Sequence, residues 1–326
     1  MKAAWYEKQG PAKEVLILGE MADPHPGPGE VRIRIAASGV NPGDVKKRRR
    51  TFGGMMFPRI IPHSDGAGHI DELGEGVAPE RLGQAVWCYH AQSYRPFGTA
   101  AELTVVPAHQ AVPLPGGVSP EQGACLGIPG LTGHRAAHVA GPLEGRTVLI
   151  QGAAGAVGIS AVQMARRGGA RVIGTIRAPE QEAVARQAGA HDIVTSDANL
   201  VASVKALAPE GVDHIVEVAF AANVQADADL LKNEGSIATY ATDNAAPQIP
   251  FWPMVFNNNR IYFLGSDDFP KEAKQQAAKD LNASLEAGWS GFTISERLPL
   301  DDIAHAHELV ENSATAGRVV VMIHGV

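Results

Sequence analysis

The chain has 326 residues, enough for about two domains, each with its own core. With 45% hydrophobic and 19% charged residues it is neither disordered nor fibrous, and its 36 glycines point to many tight turns or to a ligand site built from backbone. The formal net charge of -7 argues against bulk nucleic-acid binding, which needs a basic surface.

Residues 1–8 contain no apolar stretch of the kind a signal peptide carries. The first third reads as β-rich. Short β-branched runs at 14–18, 31–35, 85–88 and 101–106 are separated by Pro/Gly punctuation, most clearly at 24–29. Residues 31–35 alternate as a strand with one wet face does, and the whole is expected to form a small barrel or irregular sheet. The Pro/Gly-rich segment 112–120 is the candidate boundary. Beyond it, strands at 147–150, 171–175, 192–195, 214–218, 236–240 and 261–265 alternate with helices at 159–167, 181–188, 200–207 and 224–231. That alternation predicts a doubly wound parallel sheet. The tail is expected to hold helices at 271–287 and 301–312 and a last strand at 319–323. The longest uncharged stretch, 147–165, is close to a membrane span in length, but its three glycines and four polar residues read better as strand, turn and helix. A soluble cytoplasmic protein, with no membrane contact, is the expectation.

Cys88 and Cys125 form neither a CxxC pair nor a close Cys/His set, so no disulfide framework and no metal site is expected. The strand at 147–150 runs into Gly152-Ala153-Ala154-Gly155-Ala156-Val157-Gly158 and then a helix. Free N–H groups and the dipole at such a helix N-terminus attract phosphate, and glycine lets the backbone approach a pyrophosphate. The spacing is GxxGxxG and not the usual GxGxxG, so the strand before, the helix after and the second closing strand carry the assignment. The competing reading is a tight turn with no ligand. Where NAD enzymes place an acid for the ribose 2′-hydroxyl, the second strand ends Gly174-Thr175-Ile176-Arg177. A guanidinium pairs with a 2′-phosphate, so NADPH is the expected cofactor, with Arg177 as a merely solvated arginine the alternative.

Four motifs occur in order along the chain: Gly39-Val40-Asn41-Pro42-Gly43-Asp44, Ser64-Asp65-Gly66-Ala67-Gly68, Gly127-Ile128-Pro129-Gly130-Leu131-Thr132-Gly133, and the glycine loop. Together they resemble the medium-chain dehydrogenase/reductase superfamily, specifically its zinc-free, zeta-crystallin-like quinone oxidoreductases. The resemblance implies an α/β chain of two parts. Residues 1–120, rejoined by 290–326, would form a GroES-like β-rich catalytic domain, and 121–289 a Rossmann domain binding NADPH, with the active site in the cleft between them. It also implies a homodimer pairing through the strand that begins at Arg260.

Carried onto this chain, the resemblance places Asn41 and Thr132 beside nicotinamide and substrate. It lays Gly152, Ala154, Gly155, Ala156, Val157 and Gly158 along the pyrophosphate, and Tyr240, Ala241, Thr242, Leu264, Gly265 and Ser266 near the nicotinamide ribose or ring. The zinc alcohol dehydrogenases of the superfamily carry Cys where this chain has Asn41 and His where it has Ser64, and they have a four-cysteine lobe that is absent here. Without a Lewis acid, hydride delivery to a quinone is favoured over alcohol oxidation. Asn41 and Thr132 are expected to donate hydrogen bonds to a developing oxyanion, and Ser64 or Lys46 to relay a proton from solvent. Related reductases often carry tyrosines after Asp44, where this chain has Lys46 and Phe52. The run Lys46-Lys47-Arg48-Arg49-Arg50 reads first as a solvated loop, with Lys46 facing the cleft as the sharper reading and an RNA patch as the weakest. His63 reads as structural or exposed, and His134 and His138 as a surface pair. His305 and His307 do not share a face. Two rivals stand beside the quinone reductase: an NADPH-dependent alkenal, enone or enoyl-thioester reductase, and a nucleotide-binding protein with a structural or RNA-linked role.

Overall fold

The protein is seen here as a computed structural model that describes residues 1–313 and 316–323; of the returning tail expected over 290–326, positions 314, 315 and 324–326 lie outside the described residues. The chain divides into two compact units, Met1–Ile128 with Leu285–Val326, and Pro129–Ser284.

The first unit opens with β1 (Lys2–Trp5), α1 (Ala12–Val15) and β2 (Ile17–Glu20), the two strands pairing antiparallel. Residues 14–18, expected as one strand, are split. Pro11 opens a helical turn whose Val15 packs with Tyr6 and Ile60, and the paired strand begins only at Ile17. β3 (Glu30–Gly39) buries Val31, Ile33 and Ile35 on one face, as the alternation requires. α2 (Pro42–Arg48) takes the first three residues of the basic run, which are therefore helical and not a solvated loop, while Arg49 and Arg50 follow in an exposed turn. Asn41 caps it, Pro42 supplies a preset φ at its first position, and Asp44 accepts the Asn41 backbone N–H at 2.8 Å. There follow β4 (Asp65–Leu73), β5 (Ala85–Cys88), β6 (Leu103–Pro107), β7 (Ala111–Pro113), α3 (Pro120–Gly123) and α4 (Gly127–His138), the last running on into the second unit.

In the second unit strand and helix alternate: β8 (Thr147–Ile150), α5 (Ala156–Arg167), β9 (Arg171–Ile176), α6 (Glu182–Ala188), β10 (Asp192–Thr195), α7 (Leu200–Leu207), β11 (Val212–Glu217), α8 (Phe220–Leu230), β12 (Leu231–Thr239), α9 (Phe251–Phe256), β13 (Arg260–Phe263) and α10 (Lys271–Glu286). The strands are all parallel in the order β10-β9-β8-β11-β12-β13. Val148, Leu149 and Ile150 are buried throughout, because helices cover both faces of such a sheet. The strand order reverses between β8 and β11, and in sheets of this kind ligands bind beyond the C-terminal strand ends at that switch. β13 is an edge strand with Phe263 exposed; Trp252 and Phe256 of α9 are exposed as well.

The tail adds β14 (Ile294–Pro299), α11 (Ile303–Glu311) and β15 (Arg318–Met322) to the first unit. β15 pairs antiparallel with β3 through Val320–Gly39, Val321–Ser38 and Met322–Ala37, completing the order β14-β15-β3-β4-β5-β7 with β6 also on β3. Leu300, Ile303, Ala306, Val319 and Val321 share one core with Val31, Ile33 and Ile35. Each buried Val, Leu and Ile among them contributes about 1.5–3 kcal/mol by leaving water, so the tail is bound to this unit by packing as well as pairing. Among the described residues no helix is long and apolar enough to cross a membrane.

Candidate active site

In the second unit the glycine loop joins β8 to α5. Gly152 has φ +69, and a Cβ on Gly158 would drive into the Gly152 carbonyl oxygen, so the first turn of α5 can lie this close to the loop only with glycine there. Gly155 caps α5 without a side-chain acceptor. The N–H groups of Ala156, Val157 and Gly158, having no partner within the helix, are thus offered to an anion at the positive end of a 12-residue helix.

Four further loops end at the same edge of the sheet. β9 leads to Arg177, exposed, whose backbone N–H is held by Gln181 Oε1 at 2.9 Å. The Thr175 hydroxyl is buried and committed: it accepts the Gly152 N–H and donates to Gln151 Oε1, both at 2.9 Å. Its part is therefore to hold the loop. β11 ends at the buried Glu217, and β12 leads to the half-buried Tyr240, whose phenol is pushed far up by burial and by the Glu217 carboxylate. Ala241 accepts the Phe220 N–H, and the exposed Thr242 hydroxyl bonds Asn244 within its own turn. β13 leads to Leu264, whose N–H bonds the Thr239 carbonyl, and to Gly265 and Ser266. Thr132 lies on α4, 5% exposed. The expected cofactor positions from Gly152 to Ser266 thus share the C-terminal edge of one sheet.

In the first unit Asn41 is held at both ends of its amide. Nδ2 donates to Asp65 Oδ2 at 2.7 Å, and Oδ1 accepts from Arg318 Nη2 at 2.9 Å. Asp65 also accepts the Ile128 N–H on both oxygens at 2.9 Å. A Cβ on Gly127 would collide with this carboxyl, which explains the glycine. Burial pushes Asp65 up to about 7, against the opposite pull of the Arg318 charge and the Asn41 hydrogen bond. Ser64, next to it, is 2% exposed and accepts the Ala91 N–H on its carbonyl. Lys46, half-buried on α2, holds its ammonium 5.9 Å from the Phe52 ring centre. Asn41 and Asp65 are brought together, with Ser64 the residue before Asp65 in the chain; Lys46 stands a turn along the helix that Asn41 caps.

Asp65 and Arg318 carry no assigned role in the sequence-based reading, and neither does the histidine chemistry beneath them. Arg48, fully buried, donates to Glu311, to the Gly10 carbonyl and to His307 Nδ1. His307 Nε2 meets His63 Nε2 at 3.0 Å, His63 Nδ1 bonds the Ser38 hydroxyl, and that hydroxyl bonds Thr99, which donates to the Asp65 carbonyl. Burial holds His63 down to about 3, and His307 is held well below its ordinary range. The expected surface pair is also corrected. His134 is buried against Asp280 at 2.8 Å and stacks on His138, and burial lowers it to about 4. Among the described residues no group of three or more His, Cys, Asp or Glu could hold a metal ion.

Two family models match: an alcohol dehydrogenase GroES-like domain over residues 27–116 and a zinc-binding dehydrogenase over 156–281. The quinone oxidoreductase of Rattus norvegicus is 32% identical, with 98% of this chain and 96% of that protein aligned. Among solved structures, an NAD-dependent alcohol dehydrogenase superposes with a TM-score of 0.88 at 25% identity, covering 99% of this chain and 100% of the other. A mycobacterial protein complexed with NADPH superposes at 0.86 and 24% identity, with the same coverage.

Proposed function

The chain belongs to the medium-chain dehydrogenase/reductase superfamily, an oxidoreductase with full-length quinone oxidoreductase relatives, and from that premise we propose that it reduces quinones with NADPH and without zinc. The observation that carries the reading is the C-terminal edge of the parallel sheet: an uncapped helix N-terminus behind a glycine loop, with Arg177 where an NAD site would carry an acid. These residues fit a dinucleotide phosphate. Ala154 to Gly158 would hold the pyrophosphate and Arg177 the 2′-phosphate, while Thr132, Tyr240 to Thr242 and Leu264 to Ser266 would line the nicotinamide end. When bound, NADPH supplies the hydride.

The chain's own work is positioning. Asn41 has spent one Nδ2 hydrogen on Asp65, and the second is its donor for a developing acceptor oxygen. Because Arg318 holds the amide oxygen, the nitrogen end is fixed toward Asp65. Lys46 and Ser64 are the candidate groups for passing a proton from solvent to that oxygen. Zinc does not fit here: Asn41 and Ser64 are poor zinc donors, and a guanidinium 2.9 Å from Asn41 Oδ1 repels a second cation. The exposed apolar edge at β13 supports pairing of two copies there.

The test is the initial rate of NADPH and NADH oxidation by chelator-treated protein with 1,4-benzoquinone. Rapid NADPH-preferring turnover is expected. Binding of NADPH without quinone turnover would move the assignment to conjugated enals and enones, and zinc-restorable alcohol oxidation would overturn it.

A further inference from the structure

Two buried carboxyls lie behind the glycine loop with no role in the chemistry above. Glu217 ends β11, next to β8 in the sheet and level with Gln151, and Asp227 reaches it from α8. Both are fully buried. Glu217 is well supplied with donors: the Ala219 N–H to Oε1, and Asn223 Nδ2 to both oxygens at 3.1 Å. Asp227 is not. Its Oδ1 accepts from Gln151 Nε2 at 2.9 Å, while its Oδ2 has no hydrogen-bond partner among the described residues unless a proton lies between it and Glu217.

The direction of every hydrogen bond in the chain is set by its far end. The Gly152 N–H can only donate, so Thr175 Oγ1 accepts it and turns its own O–H to Gln151 Oε1. The Gln151 NH2 then faces Asp227, whose Oδ1 must be the accepting oxygen. Oδ2 is left as the oxygen that bears a proton and donates it to Glu217. Two ionised carboxylates in contact and out of water would be costly, and one shared proton removes that cost.

We propose that Glu217 and Asp227 are a positioning pair for the dinucleotide loop, in which Asp227 carries the proton, Glu217 carries the charge, and the Asp227–Gln151–Thr175 chain fixes the Gly152 end of the loop. Burial pushes both carboxyls up, Asp227 the further, since the Glu217 charge adds to its burial. The proposal rests on the dinucleotide reading for its consequence, while the location of the proton does not depend on that reading.

The test exploits the asymmetry between the two acids. Asp227→Asn reproduces a protonated aspartate, with an oxygen toward Gln151 and an N–H toward Glu217, so its NADPH dissociation constant is expected to stay within about twofold of the parent. Glu217→Gln sets a donor against donors, and Asp227→Ala removes the end of the chain; each is expected to weaken NADPH binding by about tenfold or more while kcat at saturating NADPH is kept. The infrared difference spectrum of the parent minus Asp227→Asn at neutral pH is expected to show the carbonyl stretch of a neutral carboxylic acid, whether or not nucleotide is present. Absence of that band, loss of affinity in Asp227→Asn equal to that in Asp227→Ala, or an unaffected Glu217→Gln would each overturn the assignment. If Glu217→Gln or Asp227→Ala does not fold, the band and the Asp227→Asn affinity still decide it. If the parent binds no NADPH, the dinucleotide reading fails while the band still locates the proton.

Discussion

The glycine loop of the second unit is shaped by near neighbours: Gly152, Gly155 and Gly158 lie within seven consecutive positions, and the tie from Gly152 goes to Thr175, 23 residues on. Asn41 in the first unit is held by Asp65, 24 residues away, and by Arg318, 277 residues away on the last strand. The glycines of the loop lie on one strand, one turn and one helix, and the tie that holds Gly152 comes from the neighbouring strand. The orientation of the amide depends on a buried charge delivered by the far end of the chain, so the tail that returns to this unit holds a residue of its candidate site and is more than a structural closure.

The comparison is broken most severely by removing the distant charge. Arg318→Leu leaves Asp65 and the Asn41 carbonyl oxygen without their cationic partner in a buried place, and a loss of about 3–5 kcal/mol in unfolding free energy is expected by denaturant titration. Gly158→Ala attacks the local side instead. The added methyl must push the Gly152 carbonyl aside at a cost of about 1–3 kcal/mol, and fluorescence titration should show NADPH affinity falling by about ten- to a hundredfold with the fold kept by circular dichroism.

Acid sharpens the contrast within the first unit. His63 and His307 are held neutral, well below the value of about 6.5 that they have when unfolded. Below pH 6.5 the unfolded chain binds protons that the folded chain refuses, so their contribution is complete above 6.5 and is lost as the pH falls below it. Asp65, raised to about 7, works the other way, because the folded chain takes its proton between 7 and about 4 and is relieved by it. The histidine part is therefore read as a difference. The double variant His63→Gln/His307→Gln should lose stability less steeply between pH 6 and 4 than the parent, by up to about 1.4 kcal/mol per pH unit for each histidine, in chemical denaturation at stepped pH. A smaller effect is expected at Lys46. Lys46→Ala should raise the Michaelis constant for an anionic quinone a few-fold and leave that for 1,4-benzoquinone unchanged, and equal effects on both would remove the residue from the acceptor site.

The second unit was the more legible because its signals are local. The apolar run 147–150, the three glycines and the regular strand-helix alternation can each be read within a window of a few dozen residues, and a parallel sheet, though not its strand order, follows from them. In the first unit the ties run across 244 residues from His63 to His307 and 277 from Asn41 to Arg318, and no spacing rule connects such positions. The basic run shows a subtler failure. Asn41-Pro42-Gly43-Asp44 is a helix-start signal, yet five consecutive cations weigh toward a solvated segment; the partners that make Arg48 tolerable inside, the buried His307 and the half-buried Glu311, lie on α11. At 14–18 the β-branched run was outweighed by Pro11 and by the burial of Val15 alone.

The most direct measurement of the central claim is calorimetric titration of the chelator-treated protein and of Arg177→Ala with NADPH and NADH. At least a tenfold preference for NADPH is expected in the parent, about the worth of one charge-assisted pair, with its collapse in the variant through weaker NADPH binding and NADH unaltered. Equal affinity for the two nucleotides in the parent, or a preference that survives the loss of Arg177, would contradict it.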